Sequence, residues 1–274
     1  MNDLENFLVD VHDRIPGVTS DAMAQLPVRA AGSTHASTYE LLARSVPRGP
    51  GPIGVLDLAC GDGALLACLA CRGQPGLALH GLDFSAGELA AAARRLGGRA
   101  ALVRSRAQQL PYPDGSFDVV LSHMALMLMD EAGQVLGELR RVLRPGGVLA
   151  AIVAAPSPPS AVHQAFIDTL RASERGAAWQ GVRFPGRAWR DEDSIRDLLG
   201  GFAELRVDDV VAELVGDPAA AWGWYGGVYE LQMMSPAERE RFGGRFRAAV
   251  ARLSAEGQAA ASSLHFRLIR ARCD

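Results

Sequence analysis

The stretch VLDLACGDG, residues 55 to 63, sets four apolar residues ahead of and among two carboxylates and two glycines. A short apolar run that ends in glycines reads as a buried strand leading into a tight turn, and such a turn lets a ligand approach the backbone. Working outward, Ile53 to Leu58 is the strand and Gly63 to Arg72 the helix that follows. The same rhythm recurs downstream. Leu77 to Leu82, Ala100 to Val103, Phe117 to Leu121 and Val148 to Ala154 read as further strands. Between them lie a helix from Ala86 to Leu96 and an apolar stripe of Val135, Leu136, Leu139, Val142 and Leu143. Ser85 is placed to cap the first of these helices, with Glu88 three residues on to return the bond. Arg144-Pro145-Gly146-Gly147 is expected to stop the second, and Asp114-Gly115 to form a turn.

Strands alternating with helices predict a parallel sheet with crossover helices. Beyond residue 155 the rhythm breaks at Pro156, Pro158 and Pro159, and an irregular stretch runs to about Arg190, where Asp191 can cap a short helix. Ala203 to Leu214 is expected as a strand, Ala219 to Met234 and Pro236 to Ser254 as helices, and Leu264 to Ala271 as the last strand. The expected organisation is a helical N-terminal lid over residues 1 to 50 and a ligand-binding core over 51 to 155. A substrate-side insertion over 156 to 200 and a C-terminal completion of the sheet over 201 to 274 follow.

Composition narrows the function. All 28 basic residues are arginine, which removes Schiff-base lysine chemistry and the phosphate-binding P-loop together. A net charge of −3 gives no basic footprint for nucleic acid, so no nucleic-acid partner is expected. The longest apolar run, Val119 to Met129, is far short of a membrane span, and the expectation is a cytoplasmic protein without membrane association. The Cys68-x-x-Cys71 pair has no answering pair or histidine cluster, so no metal is expected.

The dinucleotide fingerprint requires a third glycine, and here that position is Leu66, while Asp62 on the turn would oppose a pyrophosphate. An acid-bearing turn suits a cationic ligand. Asp83, 22 positions after Gly61, ends the second strand where a carboxylate can accept from ribose hydroxyls. A nucleoside with a cationic tail fits both ends.

Four ordered motifs, VLDLACGDG at 55 to 63, LHGLDFS at 79 to 85, QQLPYPDGSFDVVLS at 108 to 122 and LRRVLRPGGVLA at 139 to 150, resemble those of class I S-adenosylmethionine-dependent methyltransferases of the UbiE-like small-molecule type. The resemblance implies an α/β, Rossmann-like, seven-stranded and mostly parallel sheet whose last strand is antiparallel. It implies S-adenosyl-L-methionine as cofactor, with Asp57 and the backbone of Ala59, Gly61 and Gly63 around its amino-acid tail. It further implies Asp83 on the ribose, Phe84 beside the adenine, Ala107 and Gln108 at the adenine edge, and Ser122 facing the methionine moiety. Arg106 stands where members often carry aspartate, and Gln108 is the candidate to replace that contact.

Methyl transfer from a sulfonium is an in-line displacement, so holding the partners aligned is the protein's main task. A hydroxyl or acidic carbon would need a general base, and His123, at the end of the fourth strand, is the first candidate, its other reading being a hydrogen-bonded core residue. For the acceptor, His12, His163, Trp222, Tyr225 and Tyr229 are candidate contacts, with Trp179 and Trp189 further aromatic residues on the substrate side. The bunch AWGWYGGVYE at 221 to 230 reads either as core packing or as an aromatic-walled pocket for a flat secondary metabolite. A small-molecule acceptor is expected, acting on a monomer or homodimer. Two other functions stay open: a fold that keeps the cofactor for a non-methylating reaction such as cyclisation, and a NAD-dependent oxidoreductase.

Overall fold

The computed structural model describes residues 3–173, 185–215, 218–232, 234–255 and 261–274. The expected strands form β3 (Ile53–Leu58), β4 (Leu77–Asp83), β5 (Ala101–Arg104), β6 (Phe117–His123), β7 (Leu143–Ala155), β8 (Ala203–Val215) and β9 (Ala261–Arg272). Two short strands precede them, β1 (Val28–Ala30) and β2 (Ser33–His35). All nine lie in one sheet, in the order β2-β1-β8-β9-β7-β6-β3-β4-β5. From β5 to β7 the neighbours run parallel, and β9 is antiparallel to both β7 and β8.

The central strands are buried on both faces, which is why they read as continuous apolar runs. Val55, Val119, Leu121 and Ile152 pack on one face with Leu65, Leu66 and Leu69 of α4 (Ala64–Ala70) and Leu42 of α3 (Thr38–Ala43). Leu56, Leu58, Val120 and Val153 pack on the other with Leu136, Leu139 and Val142 of α6 (Ala132–Val142) and Ile195 of α8 (Glu192–Leu198). A third cluster is built from α7 (Ala161–Arg171), α9 (Pro218–Tyr225), α10 (Tyr229–Gln232) and α11 (Pro236–Ala255).

Three differences from the sequence reading have local causes. The segment up to residue 50, expected to be helical, carries α1 (Asp3–Arg14), α2 (Val18–Met23) and α3, but also the β1–β2 hairpin, whose β1 extends the sheet by pairing with β8. Its two-residue turn is Ala31-Gly32, both at positive φ, a geometry that glycine favours and alanine does not announce. Secondly, β7 begins at Leu143, which pairs with Phe117, and the ladder resumes at Val148, so Arg144 to Gly147 bulge out of the strand with Gly146 at φ 75°. Thirdly, the helix expected over Ala219 to Met234 breaks into α9 and α10 at Gly226-Gly227.

Strand order reverses between β3 and β6, and in open sheets of this kind the crevice for a ligand lies outside the carboxyl ends at that reversal. There α1 and α2 cross the strand ends. Asp13 accepts from Ser85 Oγ (2.6 Å) and the Gly87 amide (2.9 Å), which docks the end of α1 on the first turn of α5 (Ala86–Leu96). These two donors hold the Asp13 carboxyl below the usual carboxylate range.

Candidate active site

A cleft at the ends of β3, β4 and β6 is lined by Asp57, Ala59, Gly61, Asp83, Phe84, Ala107, Gln108, His12, His123 and Tyr229 among others. Its floor is the turn after β3. Ala59 there stands at φ 57°, a left-handed conformation that is strained for an L side chain, and Gly61 at φ 51°. The Gly61 amide donates to Asp83 Oδ2 (2.9 Å) and the Ser85 amide to Oδ1 (2.9 Å), fixing the Asp83 carboxylate at the rim. Each oxygen keeps acceptor capacity for a hydroxyl. Burial raises the Asp83 pKa, and the two amides oppose that rise.

Asp57 is 1% exposed, and neither carboxylate oxygen has a hydrogen-bond partner. Burial first, then the charges of Asp83 and Asp62, push its pKa well above the usual range. A buried carboxyl without a partner in a ligand cleft is the complement of an ammonium or sulfonium ligand, whose charge would favour its ionised form. The donor set is one that could hold S-adenosylmethionine, with Asp57 open to a cationic tail, Asp83 to hydroxyls, and Phe84, Ala107 and Gln108 on the cleft wall.

Other sequence candidates are placed differently. Gly63 does not line the cleft; a Cβ there would meet Leu96 Cδ1 at 3.0 Å and Ala92 Cβ at 3.2 Å, so the residue serves close packing of α4 on α5. Ser122 is fully buried and donates to Leu58 O (3.2 Å), tying β6 to β3 away from the cleft. Asp62 points its charge at Arg95 and accepts from Ser20 Oγ (2.6 Å), which pins α2 over the turn. Glu88 does not return the capping bond. Its carboxylate takes the Gly17 amide (3.1 and 3.0 Å) and His12 Nδ1 (2.7 Å), while Ser85 Oγ accepts from the Glu88 amide as expected.

His163, Trp222 and Tyr225 lie in the third cluster, outside the cleft. Tyr225 is 2% exposed, stacks near Phe166 and Phe246, and bonds His163 Nδ1 through its hydroxyl (3.2 Å). Trp222 covers Gly243 and carries Arg247 over its ring. With these side chains on a core of their own, they do not wall the cleft, and among the described side chains of the bunch only Tyr229 reaches it. Trp189 is buried in the core cluster that also holds Ile195 of α8 and Val153 of β7, and Trp179 lies outside the described residues.

His123 does line the cleft. Its Nε2 bonds Thr38 Oγ1 (2.8 Å), its ring stacks on Tyr39 at 3.9 Å between centroids, and burial pushes its pKa down to about 3. At neutral pH it is an uncharged imidazole. Arg106 pairs with Glu5 of α1 at 2.5 Å, and Gln108 Nε2 donates to the Asp130 carbonyl (3.2 Å). Sequence reasoning missed Leu8, Thr19, Ser20, Tyr39 and Glu88, and also Met124, Ala125, Leu128 and Met129. A signal existed for the last four, because the apolar run from Val119 continues past the strand end; none existed for the lid residues, whose partners are distant in sequence. Among the described residues no group of three or more potential ligands is placed to hold a metal, and no helix is long and apolar enough to cross a membrane. Cys68 and Cys71 are free and exposed.

Residues 56–151 match the methyltransferase domain family. The demethylmenaquinone methyltransferase of Clavibacter sepedonicus is 32% identical over 174 residues, covering 59% of this chain and 70% of the relative. That of Thermus thermophilus is 40% identical over 113 residues, 40% of this chain and 51% of its own length. Among solved structures, the YcgJ protein of Bacillus subtilis shares the fold at TM-score 0.56 and 17% identity, over 85% of this chain and 97% of that one. The Haemonchus contortus phosphoethanolamine N-methyltransferase 2 in complex with S-adenosyl-L-methionine does so at TM-score 0.53 and 16% identity, over 85% and 51%. Sheet, cleft and relatives together define a cofactor-dependent group-transfer enzyme of the Rossmann-like kind. The chain belongs to the class I S-adenosylmethionine-dependent methyltransferases, on the UbiE-like branch.

Proposed function

We propose that the protein methylates a small, neutral, hydroxylated aromatic acceptor. The charge arrangement of the cleft carries this reading. Asp57 and Asp83 are buried at the strand ends, whereas Leu8, Tyr39, Met124, Leu128 and Met129 supply apolar walls. The one guanidinium among the described cleft residues, Arg106, is already matched by Glu5, which leaves no spare arginine for a phosphorylated acceptor. The flat, quinonoid acceptor in the names of the curated relatives supports the same chemistry.

When bound, S-adenosylmethionine supplies an electrophilic methyl group on a sulfonium. Asp57 would hold its cationic tail and Asp83 its ribose, while Phe84, Ala107 and Gln108 border the base. The stacked Tyr39–His123 pair forms a wall against which an aromatic acceptor can lie. Alignment of that acceptor, with water excluded by α1 and α2, is where the rate gain arises, on the order of 7 to 11 kcal/mol for well-oriented reactions.

The test is calorimetric titration with S-adenosylmethionine, S-adenosylhomocysteine and NADH, followed by a methyl-transfer assay on 1,4-dihydroxynaphthalene, a plain two-ring hydroquinone. Micromolar binding of the first two and a methylated naphthol product are expected. Transfer to phosphoethanolamine but not to the naphthalene diol would overturn the acceptor class, and binding of NADH alone would overturn the cofactor assignment.

A further inference from the structure

Three groups from three separate elements meet at the lid side of the cleft. His12, on α1, gives Nδ1 to Glu88 Oε1 at 2.7 Å and has Nε2 at 3.0 Å from the hydroxyl of Tyr229 on α10. All three line the cleft. A carboxylate only accepts, so the proton between His12 and Glu88 sits on Nδ1; when the ring is neutral, Nε2 then has its lone pair for the Tyr229 hydroxyl. Glu88 is held in turn by the Gly17 amide, which is bonded to both of its oxygens, and Thr19 bonds the Tyr229 hydroxyl. The charged and titratable groups around the ring are Glu88 of α5, Asp83 at the end of β4 and Tyr229 of α10.

This is a base with an orienting carboxylate behind it and a hydroxyl in front. By contrast His123, the other cleft imidazole, has its Nε2 committed to Thr38 and its basicity suppressed by burial. Resting on the hydroxyaromatic acceptor argued above, we propose that His12, oriented by Glu88 and reached through Tyr229, is the general base that removes the acceptor's hydroxyl proton.

The step balances as follows. The acceptor O–H bond breaks as its proton passes to the Tyr229 oxygen, and the Tyr229 proton passes to His12 Nε2. The electron pair left on the acceptor forms the new bond to the methyl carbon, from oxygen or from the conjugated ring carbon, while the carbon–sulfur pair remains on sulfur. In the ring-carbon case the dienone then tautomerises to the phenol. The imidazolium beside Glu88 returns its proton to water when the lid opens. Burial keeps the Tyr229 phenol protonated, as a relay requires.

The experiment uses the full chain with S-adenosylhomocysteine bound and ¹⁵N-labelled histidine, the His12 signals being assigned by their loss in His12→Gln. Wild type is expected to show a protonated Nδ1 and a lone-pair Nε2, and Glu88→Gln, whose amide can donate, to invert that tautomer. On 1,4-dihydroxynaphthalene, Glu88→Gln and His12→Gln should lower kcat about a hundredfold or more. The affinity for S-adenosylhomocysteine should be largely kept, which separates a lost base from a lost binding contact. His12→Gln should also change the pH profile of kcat, regaining rate only as the acceptor's own hydroxyl ionises. A wild-type His12 protonated at Nε2, or variants that shift KM and cofactor affinity while keeping the wild-type pH profile, overturns the proposal in favour of a lid-holding role. Should wild type turn over no naphthalene diol, the acceptor reading fails by itself and the tautomer measurement decides on the base.

Discussion

Asp57 carries the charge in the cleft with least compensation, and that makes it both a binding device and a burden on the empty protein. Burial raises its pKa, so the folded chain binds this proton more tightly than the unfolded chain does. Stability therefore falls as pH rises from the unfolded carboxylate range, near ~4, through the raised value, and stays low above it. Asp57→Asn removes the ionisation. The empty variant should be more stable than wild type at pH 8, and the gap should close toward pH 4, because the titrating proton is gone while a buried polar group stays in both. Its affinity for S-adenosylmethionine should drop tenfold or more because an amide cannot neutralise the cationic tail. Thermal melts across pH, with and without cofactor, check both statements; equal melting temperatures at pH 8 would show that the carboxylate is already compensated. The identity of this residue was legible in the sequence, since it ends a buried strand before a glycine turn. Its lack of a partner was not, because that depends on which side chains fold back over it.

At the level of elements, the lid is held by α1 meeting α5 end to end, and one glycine sets how close they come. A Cβ on Gly87 would lie 2.8 Å from both Asp13 Cα and its carbonyl oxygen, backbone atoms that cannot swing aside. Gly87→Ala should push α1 off α5, weakening the Asp13 cap and, with it, the His12–Glu88 contact. Faster proteolysis within residues 3–23 and a several-fold loss of cofactor affinity are expected. Gly243→Ala is the contrasting wedge. Its Cβ would meet Trp222 Cζ2 at 2.8 Å in the third cluster, so stability should fall by about 1–3 kcal/mol while cofactor affinity holds. If both variants lose affinity alike, lid and third cluster act as one unit. The sequence announced α5 to the residue, because Ser85 and Gly97 punctuate it. It also offered a capping box that the fold redirects: Glu88 leaves the helix end to serve the lid, the Ser85 amide it would have taken goes to Asp83, and Asp13 takes the Gly87 amide. For α9 the sequence could not choose between core and cleft wall, since a short helix apolar all round has no face to assign.

For the whole molecule, the cleft is assembled from both chain ends around a rigid middle. Strands β3, β4 and β6 bring Asp57, Asp83 and His123 from within about seventy residues of sequence, a span over which alternating periodicity fixes position. The covering groups come from farther away: His12 and Tyr229 are separated by 217 residues and His12 and Glu88 by 76. No local pattern encodes such pairings: His12 and Tyr229 could be named as candidates from the sequence, but not joined to each other or to Glu88. The same division should govern dynamics. The lid meets the floor largely through side-chain hydrogen bonds and ion pairs, whereas the central strands are buried on both faces, so the lid should open at lower cost than the sheet. Cofactor at a hundred times its Kd should add about 2.7 kcal/mol to stability, several degrees in melting temperature for a chain of this size. Hydrogen exchange should locate that gain: slower exchange over residues 3–23 and 229–232, and little change in β3 and β6, whose burial should limit exchange to global unfolding in either state. Protection confined to the strands, with 3–23 exchanging as in the empty protein, would mean that the cofactor binds beneath an open lid and that His12 does not reach the reacting centre.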